Sequence, residues 1–262
     1  GNNFQFGLAH DFYARTAQKV YNQNTSSVNS PNINNNAIGR KGNDVAALCN
    51  ELSWEEKNKF QIIALGQGNY TVNIYNVLSN EIEEIKSNIK FPMHHSYINL
   101  PPYIYLSGGK VDGKDSNEVR KLERTGENTF NSEKVAKLKE ARTHHCSVYI
   151  KNINCIIFIS GSRIKSCEKF NLTKKKMEAF PGLRVSREKC CACVLNSQYL
   201  YVFFGFDRTR NKFETTIEKI FINNAMSWEQ ITIPGKQNFL KKQNFACIPY
   251  EYEKKKGVII TG

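Results

Sequence analysis

A glycine recurs along this chain at the end of short apolar runs, at a spacing that few architectures use. Aligned on it, the sequence gives segments 60–66, 103–108, 155–161, 199–205 and 257–262, which end at Gly66, Gly108, Gly161, Gly205 and Gly262. The steps between these glycines are 42, 53, 44 and 57 residues. Repeats of this length, each holding several short strands, mark a β-propeller, in which a four-stranded sheet needs neighbours to cover both faces. Glycine suits the position because the chain can turn there where a Cβ would clash. The last copy breaks off at its glycine. The expected fold is therefore all-β: a partial propeller of about four blades plus the start of a fifth.

Each repeat is expected to hold four strands, a to d. Strand a covers 95–99, 146–150, 191–195 and 246–248, and strand b is the apolar run into the glycine. Strand c carries an aromatic residue at Tyr75, Phe170 and Phe221, and strand d opens seven residues later at Ile82, Met177 and Trp228. The second copy uses Leu122 and Phe130 instead. Each such pair is expected to form the wedge that packs one blade on the next. Ahead of strand a stand Arg142-x-x-His145-Cys146, Arg187-x-x-Cys190-Cys191 and Lys242-x-x-Phe245-Ala246, with Pro92 in the arginine place before His95-Ser96.

These motifs resemble those of the kelch family. Its unit carries Arg-x-x-His-Ser before a strand, a diglycine after the next, then Tyr-Asp and a tryptophan seven residues beyond the tyrosine. The resemblance covers residues 53–262. Gly108-Gly109 is the one true diglycine and Trp228 the one tryptophan at the family position. Gly66, Gly108, Gly109, Gly161, Gly205, Tyr75, Phe170, Phe221 and Trp228 are accordingly expected to be structural repeat residues.

Residues 1–22 form an expected N-terminal arm, with Ala9, Tyr13, Ala17, Val20 and Tyr21 at helical spacing. Residues 23–43 are Asn- and Ser-rich without an apolar period and read as a flexible linker. Residues 44–262 are then the propeller, incomplete at its C-terminus. No apolar run reaches the roughly 18 residues of a membrane span, and membrane insertion is not expected. The eight cysteines are scattered, several inside apolar strands, which suits a reducing, cytoplasmic setting better than a disulfide framework.

The net charge of +13 is unevenly distributed. Residues 1–109 hold eight basic and eight acidic residues, whereas residues 110–262 hold 29 and 16. Such a surplus bears on partners rather than on fold. On the expected fold, the b–c and d–a loops share one end of the sheets and concentrate basic residues there. Arg163, Lys165, Arg208, Arg210 and Lys212 are the candidate partner-binding residues, and the opposite end holds Lys174-Lys175-Lys176 and Lys254-Lys255-Lys256.

The cysteines and histidines read as structural. His94-His95 and His144-His145 fall at one repeat position, and Cys191 and Cys193 face one side of a strand with Cys190 on the other. No metal, cofactor or catalytic residue is expected, and no dinucleotide, P-loop or nucleophile-elbow motif occurs. The family resemblance implies a non-catalytic interaction module or scaffold in a larger assembly. Its expected partner is a protein with an acidic surface, tubulin or another cytoskeletal protein among them, and nucleic acid is not excluded. The Asn-, Lys- and Ile-rich composition is similar to that of proteins from AT-rich protist genomes, where kelch proteins of cilia are familiar. The family also implies two alternatives. One is a substrate adaptor of a ubiquitin ligase, which needs a BTB or similar domain outside residues 1–262. The other is an enzyme like galactose oxidase, whose Tyr and His copper ligands cannot be placed on this chain.

Overall fold

The computed structural model describes residues 61–77, 80–126, 129–233, 246–252 and 255–261. The expected N-terminal helix, the linker and the Lys242 motif lie outside these residues. The described chain is all-β, with no α-helix, and so no helix long and apolar enough to cross a membrane. It divides into two compact units, one containing Gln61–Leu65 with Thr71–Ile85, the other Gly66–Tyr70 with the described residues from Lys86.

In the first unit, β1 (Gln61–Leu65) pairs antiparallel with β2 (Thr71–Asn76), and Tyr75 stands opposite Ile62. β3 (Glu81–Ser87) follows next to β2. Val72, Ile74 and Ile85 are buried by the alternation of a half-covered sheet, whereas Ile82 points outward and is 70% exposed. Tyr75 donates its hydroxyl to Asn80 Oδ1 at 2.6 Å.

The second unit is built from a repeated antiparallel meander. The first copy contains β4 (Ser96–Leu100), β5 (Tyr103–Ser107), a small hairpin of β6 (Lys110–Val111) and β7 (Lys114–Asp115), β8 (Glu118–Gly126) and β9 (Thr129–Lys137). The second contains β10 (Cys146–Ile150), a single 3-10 turn (Lys151–Ile153), β11 (Cys155–Gly161), β12 (Ile164–Asn171) and β13 (Lys176–Phe180). The third contains β14 (Cys191–Leu195), β15 (Tyr199–Phe203), the inserted hairpin β16 (Phe206–Asp207) and β17 (Lys212–Phe213), β18 (Ile217–Phe221) and β19 (Glu229–Ile231). A final hairpin pairs β20 (Ala246–Tyr252) with β21 (Lys255–Thr261). Strand order is β4-β5-β8-β9, β10-β11-β12-β13 and β14-β15-β18-β19, and the first strands β4, β10, β14 and β20 lie side by side in that sequence.

Neighbouring sheets share cores in layers. β11 is buried along its whole length because both of its faces are covered. Ile156 and Phe158 pack with Val119 and Leu138 of the preceding copy, while Ile157 and Ile159 pack with Leu200, Val202 and Trp228 of the following one. β15 divides its faces in the same manner, with Phe203 toward Cys247, Val258 and Ile260 of the last hairpin. A strand covered on both faces reads as a continuous apolar run, which is why Cys155–Ile159 carries no alternation.

Register corrects two sequence assignments. Ser107, Ile159 and Phe203 stand opposite the first residues of β4, β10 and β14, so Gly109, not Gly108, corresponds to Gly161 and Gly205. At all three glycines φ is positive, at 88°, 138° and 102°. A Cβ there would lie 2.9–3.0 Å from the carbonyl oxygen of Met93, Thr143 or Glu188, so only glycine fits. On strand c, Phe170 stands opposite Ile156, and the matching residue opposite Leu200 is Ile220. Ile220 is buried, and its neighbour Phe221 is 39% exposed. Trp228 takes the expected buried place, its ring edge on Phe180 and its indole N–H donating to Pro181 O at 2.8 Å. Gly66 follows β1, but the left-handed glycine of that turn is Gly68, at φ 71°.

The repeat arginines are wholly buried and carry out one construction twice. Arg142 bonds Glu168 Oε1 at 2.6 Å, Arg187 bonds Glu218 Oε1 at 3.1 Å, and Glu168 and Glu218 hold matching positions on strand c. Arg142 also donates to Ser160 O, Ser166 O and Ser166 Oγ, and Arg187 to Phe204 O, Thr216 O and Thr216 Oγ1. The second carboxylate oxygen receives the backbone N–H of Lys139 in one copy and of Arg184 in the other. Ser160 and Phe204 sit at φ 56° and 55°, a left-handed conformation unfavourable for a bulky residue, and the guanidinium binds the carbonyls at that turn. In the first copy Pro92 stands in the arginine place, Gly108 takes the left-handed turn without strain, and Arg120 replaces the glutamate, pairing with Glu118 at 2.8 Å.

Removing one partner of a buried pair strands the other. Arg187→Ala leaves the buried Glu218 carboxylate without its counter-ion and Phe204 O without the guanidinium, and should lower unfolding free energy by ~3–5 kcal/mol in urea titration. Lys175→Ala, at an exposed turn, should change it by less than about 0.5 kcal/mol.

Candidate functional site

The repeat glycine and the turn before each first strand meet at one end of the sheets. Met93 and Lys110 exchange backbone hydrogen bonds at 2.9 and 2.6 Å, Ser162 donates to Thr143 O at 3.0 Å, and Glu188 and Phe206 exchange bonds at 3.0 Å. One residue further along each turn, His94, His144 and Lys189 occupy a common position and share a left-handed backbone, with φ of 57°, 54° and 56°. Their main chains form a ladder across copies, His144 N donating to His94 O at 3.0 Å and Lys189 N to His144 O at 2.8 Å. The two imidazoles stack, centroids 4.0 Å apart and planes 21° apart, and Gln67 Oε1 accepts the His94 N–H at 2.5 Å.

The second histidine of each pair turns inward. His95 lies against Pro92 O at 2.6 Å, and His145, fully enclosed, meets Ser107 Oγ at 2.8 Å. Burial pushes all four imidazoles below their usual range, His145 furthest and His144 down to about 4, with the adjacent His94 adding to the shift at His144. Among the described residues, no three His, Cys, Asp or Glu side chains are arranged to hold a metal ion.

The candidate cations divide into two groups. Arg208 grips Glu188 through two bonds, Nε to Oε2 at 2.9 Å and Nη2 to Oε1 at 2.6 Å. Arg210 bridges Asp207 at 2.5 Å and Glu214 at 2.7 Å, and Lys212 reaches Glu214 at 3.4 Å. All three carboxylates are buried while their partners stay about half exposed. Burial alone would raise the Glu188 and Asp207 pKa values. Hydrogen bonds from Arg208 and Ser162 to one, and from Arg210 and Ser186 to the other, overcome burial and hold both carboxyls below their ordinary range. Arg163 and Lys165 are exposed and form no ion pair with a described residue.

Arg208, Arg210 and Lys212 therefore brace the inserted β16–β17 hairpin. Asp207 also caps the turn, accepting the backbone N–H of Thr209 at 2.9 Å and of Arg210 at 3.2 Å, and the Ser186 hydroxyl at 2.8 Å. Sequence reasoning identified these cations but not their pairing with buried carboxylates of the same chain. The place of Lys189 beside the two histidines is readable only from the shared spacing after Pro92, Arg142 and Arg187.

Comparison with protein-family models gives no match to this chain, and a search of curated proteins gives none either.

Two outcomes follow from this geometry. Reversing Arg208, Arg210 and Lys212 to Glu should lower Tm by several degrees in a thermal melt, because three buried carboxylates lose their counter-charges and meet like charges. Reversing Arg163 and Lys165 should leave Tm nearly unchanged. The histidines set the acid response. Each is held neutral in the fold, so the folded state binds fewer protons than the unfolded chain. Their contribution is complete above the ordinary imidazole value near 6.5 and is lost as pH falls toward 4. Urea midpoints measured across that window should decline, and His144→Gln should flatten the slope.

Proposed function

We propose that this chain is part of a kelch-type β-propeller that acts as a non-catalytic interaction scaffold, its partner presenting an acidic surface. The observation that carries the architectural reading is the repeated Arg–Glu construction, in register in two successive four-stranded sheets whose first strands lie side by side. Layered cores on both faces of β11 and β15 suit sheets stacked around a common axis. Such a body is stiff, and the loops at its two ends are free to vary, which is the division of labour of a binding scaffold. The step from fold to function is by analogy with propellers in general.

Charge supports the acidic partner. After internal pairing, Lys139, Lys151, Arg163, Lys165 and Lys175 remain exposed without an ion pair to a described residue, on a chain of net charge +13. Acidic tails of cytoskeletal polymers such as microtubules fit this surface, in a cytoplasmic, cytoskeletal or ciliary setting. Exposed pairs contribute only ~0–1 kcal/mol each, so binding must be collective and salt-sensitive. Co-sedimentation with microtubules should show binding that weakens steeply with added salt and disappears after the acidic tails are cleaved. Binding retained by tail-cleaved polymers would remove the acidic surface from the reading.

A further inference from the structure

The second and third copies fill the arginine place with Arg142 and Arg187, whereas the first copy has a cavity of about 220 Å³ there. Glycine contacts fix the correspondence. A Cβ on Gly161 or Gly205 would meet the Cβ of Arg142 or Arg187, and one on Gly109 would meet the Cβ of Pro92. The proline ring starts where the arginines start but is too short to reach the turn. Pairing matches Gly108 with Ser160 and Phe204, Glu118 with Ser166 and Thr216, and Arg120 with Glu168 and Glu218. Pro92, Gly108, Glu118 and Arg120 all border the cavity.

The exchange inverts the charge of the place. Where the other copies carry a glutamate that meets a cation, Arg120 presents a cation, donating from Nε to Ser132 Oγ and from Nη1 to Glu118 Oε2, each at 2.8 Å. Lys134 Nζ holds the other oxygen of Glu118 at 2.8 Å. Hydrogen bonds from Lys134 and Arg120 keep the Glu118 carboxyl below its ordinary range against the effect of burial. Ser116 Oγ, on the same cavity, accepts the Glu118 N–H at 3.2 Å, which leaves its own proton to donate. The remaining wall is largely apolar, with Pro92 and Leu106 buried and Ile89 and Val111 beside them.

We propose that this cavity binds a small hydroxy acid, its carboxylate on Arg120 and Ser116, its hydroxyl on Gly108 O and its short hydrocarbon part on Pro92 and Leu106. Gly108 O is the counterpart of Ser160 O and Phe204 O, which accept guanidinium N–H groups in their own copies, so a donor suits that place. Size sets one limit on the ligand. The volume equals about seven waters of ~30 Å³ each and lies below the ~300–1,000 Å³ of larger ligand sites, which excludes a peptide segment or a nucleotide. The apolar wall sets another, because inorganic phosphate would leave it uncovered. Glu118 borders the same cavity and repels a dianion more than a monoanion, which favours a single carboxylate. This site is separate from any acidic partner surface and uses none of Arg208, Arg210 and Lys212.

Amide NMR of the whole chain titrated with lactate tests this. The amide signals of Gly108, Ser116 and Arg120 should shift and saturate, and propionate, which lacks the hydroxyl, should bind several-fold more weakly. Inorganic phosphate should leave them unmoved, as should a capped glutamate peptide, which offers a carboxylate from a protein side chain. Arg120→Gln should weaken lactate binding about tenfold or more through loss of a charge-assisted hydrogen bond. The exchange Pro92→Arg/Arg120→Glu rebuilds the construction of the other copies, so it should keep the parent's strand signals and abolish binding. Arg163→Gln should bind as the parent does. Equal shifts with phosphate would overturn the proposal in favour of general attraction of anions. Equal shifts with the peptide would assign the carboxylate to a partner's side chain and overturn the free acid. Propionate binding as tightly as lactate would remove the hydroxyl contact, and binding retained by the folded double variant would place the ligand elsewhere. Should either variant fail to fold, the parent's ligand series decides, and no shift with lactate overturns the proposal outright.

Discussion

A guanidinium enclosed in a β-sheet protein needs acceptors around its fork, and the repeats supply them to every nitrogen of Arg187 and to both terminal nitrogens of Arg142. Arg142 and Arg187 have no exposed surface, yet each reaches a carboxylate, two backbone carbonyls and a hydroxyl. The acceptors come from the turn after strand b and from the start of strand c, while the arginine itself sits before strand a. One side chain thus ties three parts of a sheet that would otherwise be joined only along their edges. A buried ion pair brings little net stability by itself, since desolvation offsets attraction. Its effect here is conformational: it holds carbonyls of a left-handed Ser160 or Phe204 that have no neighbouring strand to receive them.

The first repeat shows that these features depend on one another. Pro92 cannot supply a guanidinium, the left-handed position is Gly108, and the strand-c position carries Arg120 instead of a glutamate. Each change alone would be costly. Pro92 opposite a buried glutamate would strand a charge, and Arg120 opposite a buried arginine would repel it. Together they leave a turn that needs no guanidinium.

Much of the strand pattern was legible in the sequence, because apolar runs ending at glycine are a direct consequence of covered sheets and tight turns. β10, β14 and β15 fall close to the expected segments for that reason. The register was not legible at two points. Gly108-Gly109 offers two glycines, and strand pairing together with the close approach to Met93 O shows that the second matches Gly161 and Gly205. Phe221 is the more conspicuous residue, but pairing puts Ile220 opposite Leu200, and a shift of one residue turns a side chain to the other face. The glutamate partners escaped notice for a simpler reason. Glu168 lies seven residues after its glycine and Glu218 thirteen, because the β16–β17 hairpin is inserted between them. An insertion of that kind hides a fixed spatial partner from any reading based on spacing.

The two ends of the sheets have different electrostatic roles as a result. At the glycine end, buried Glu188, Asp207 and Glu214 must be neutralised, and Arg208, Arg210 and Lys212 serve that purpose before any partner arrives. A tally of lysines and arginines along the sequence counts them as available charge, although the fold has already used much of it. At the opposite end the hairpin turns are tied together by a neutral contact, Asn152 to Ser197, which draws on no charged group. The internal pairs that make one end rigid thus reduce what it can offer a partner. Charge counted along the sequence is therefore only partly available in the folded molecule: Arg163 and Lys165 form no ion pair with a described residue, whereas Arg208, Arg210 and Lys212 do.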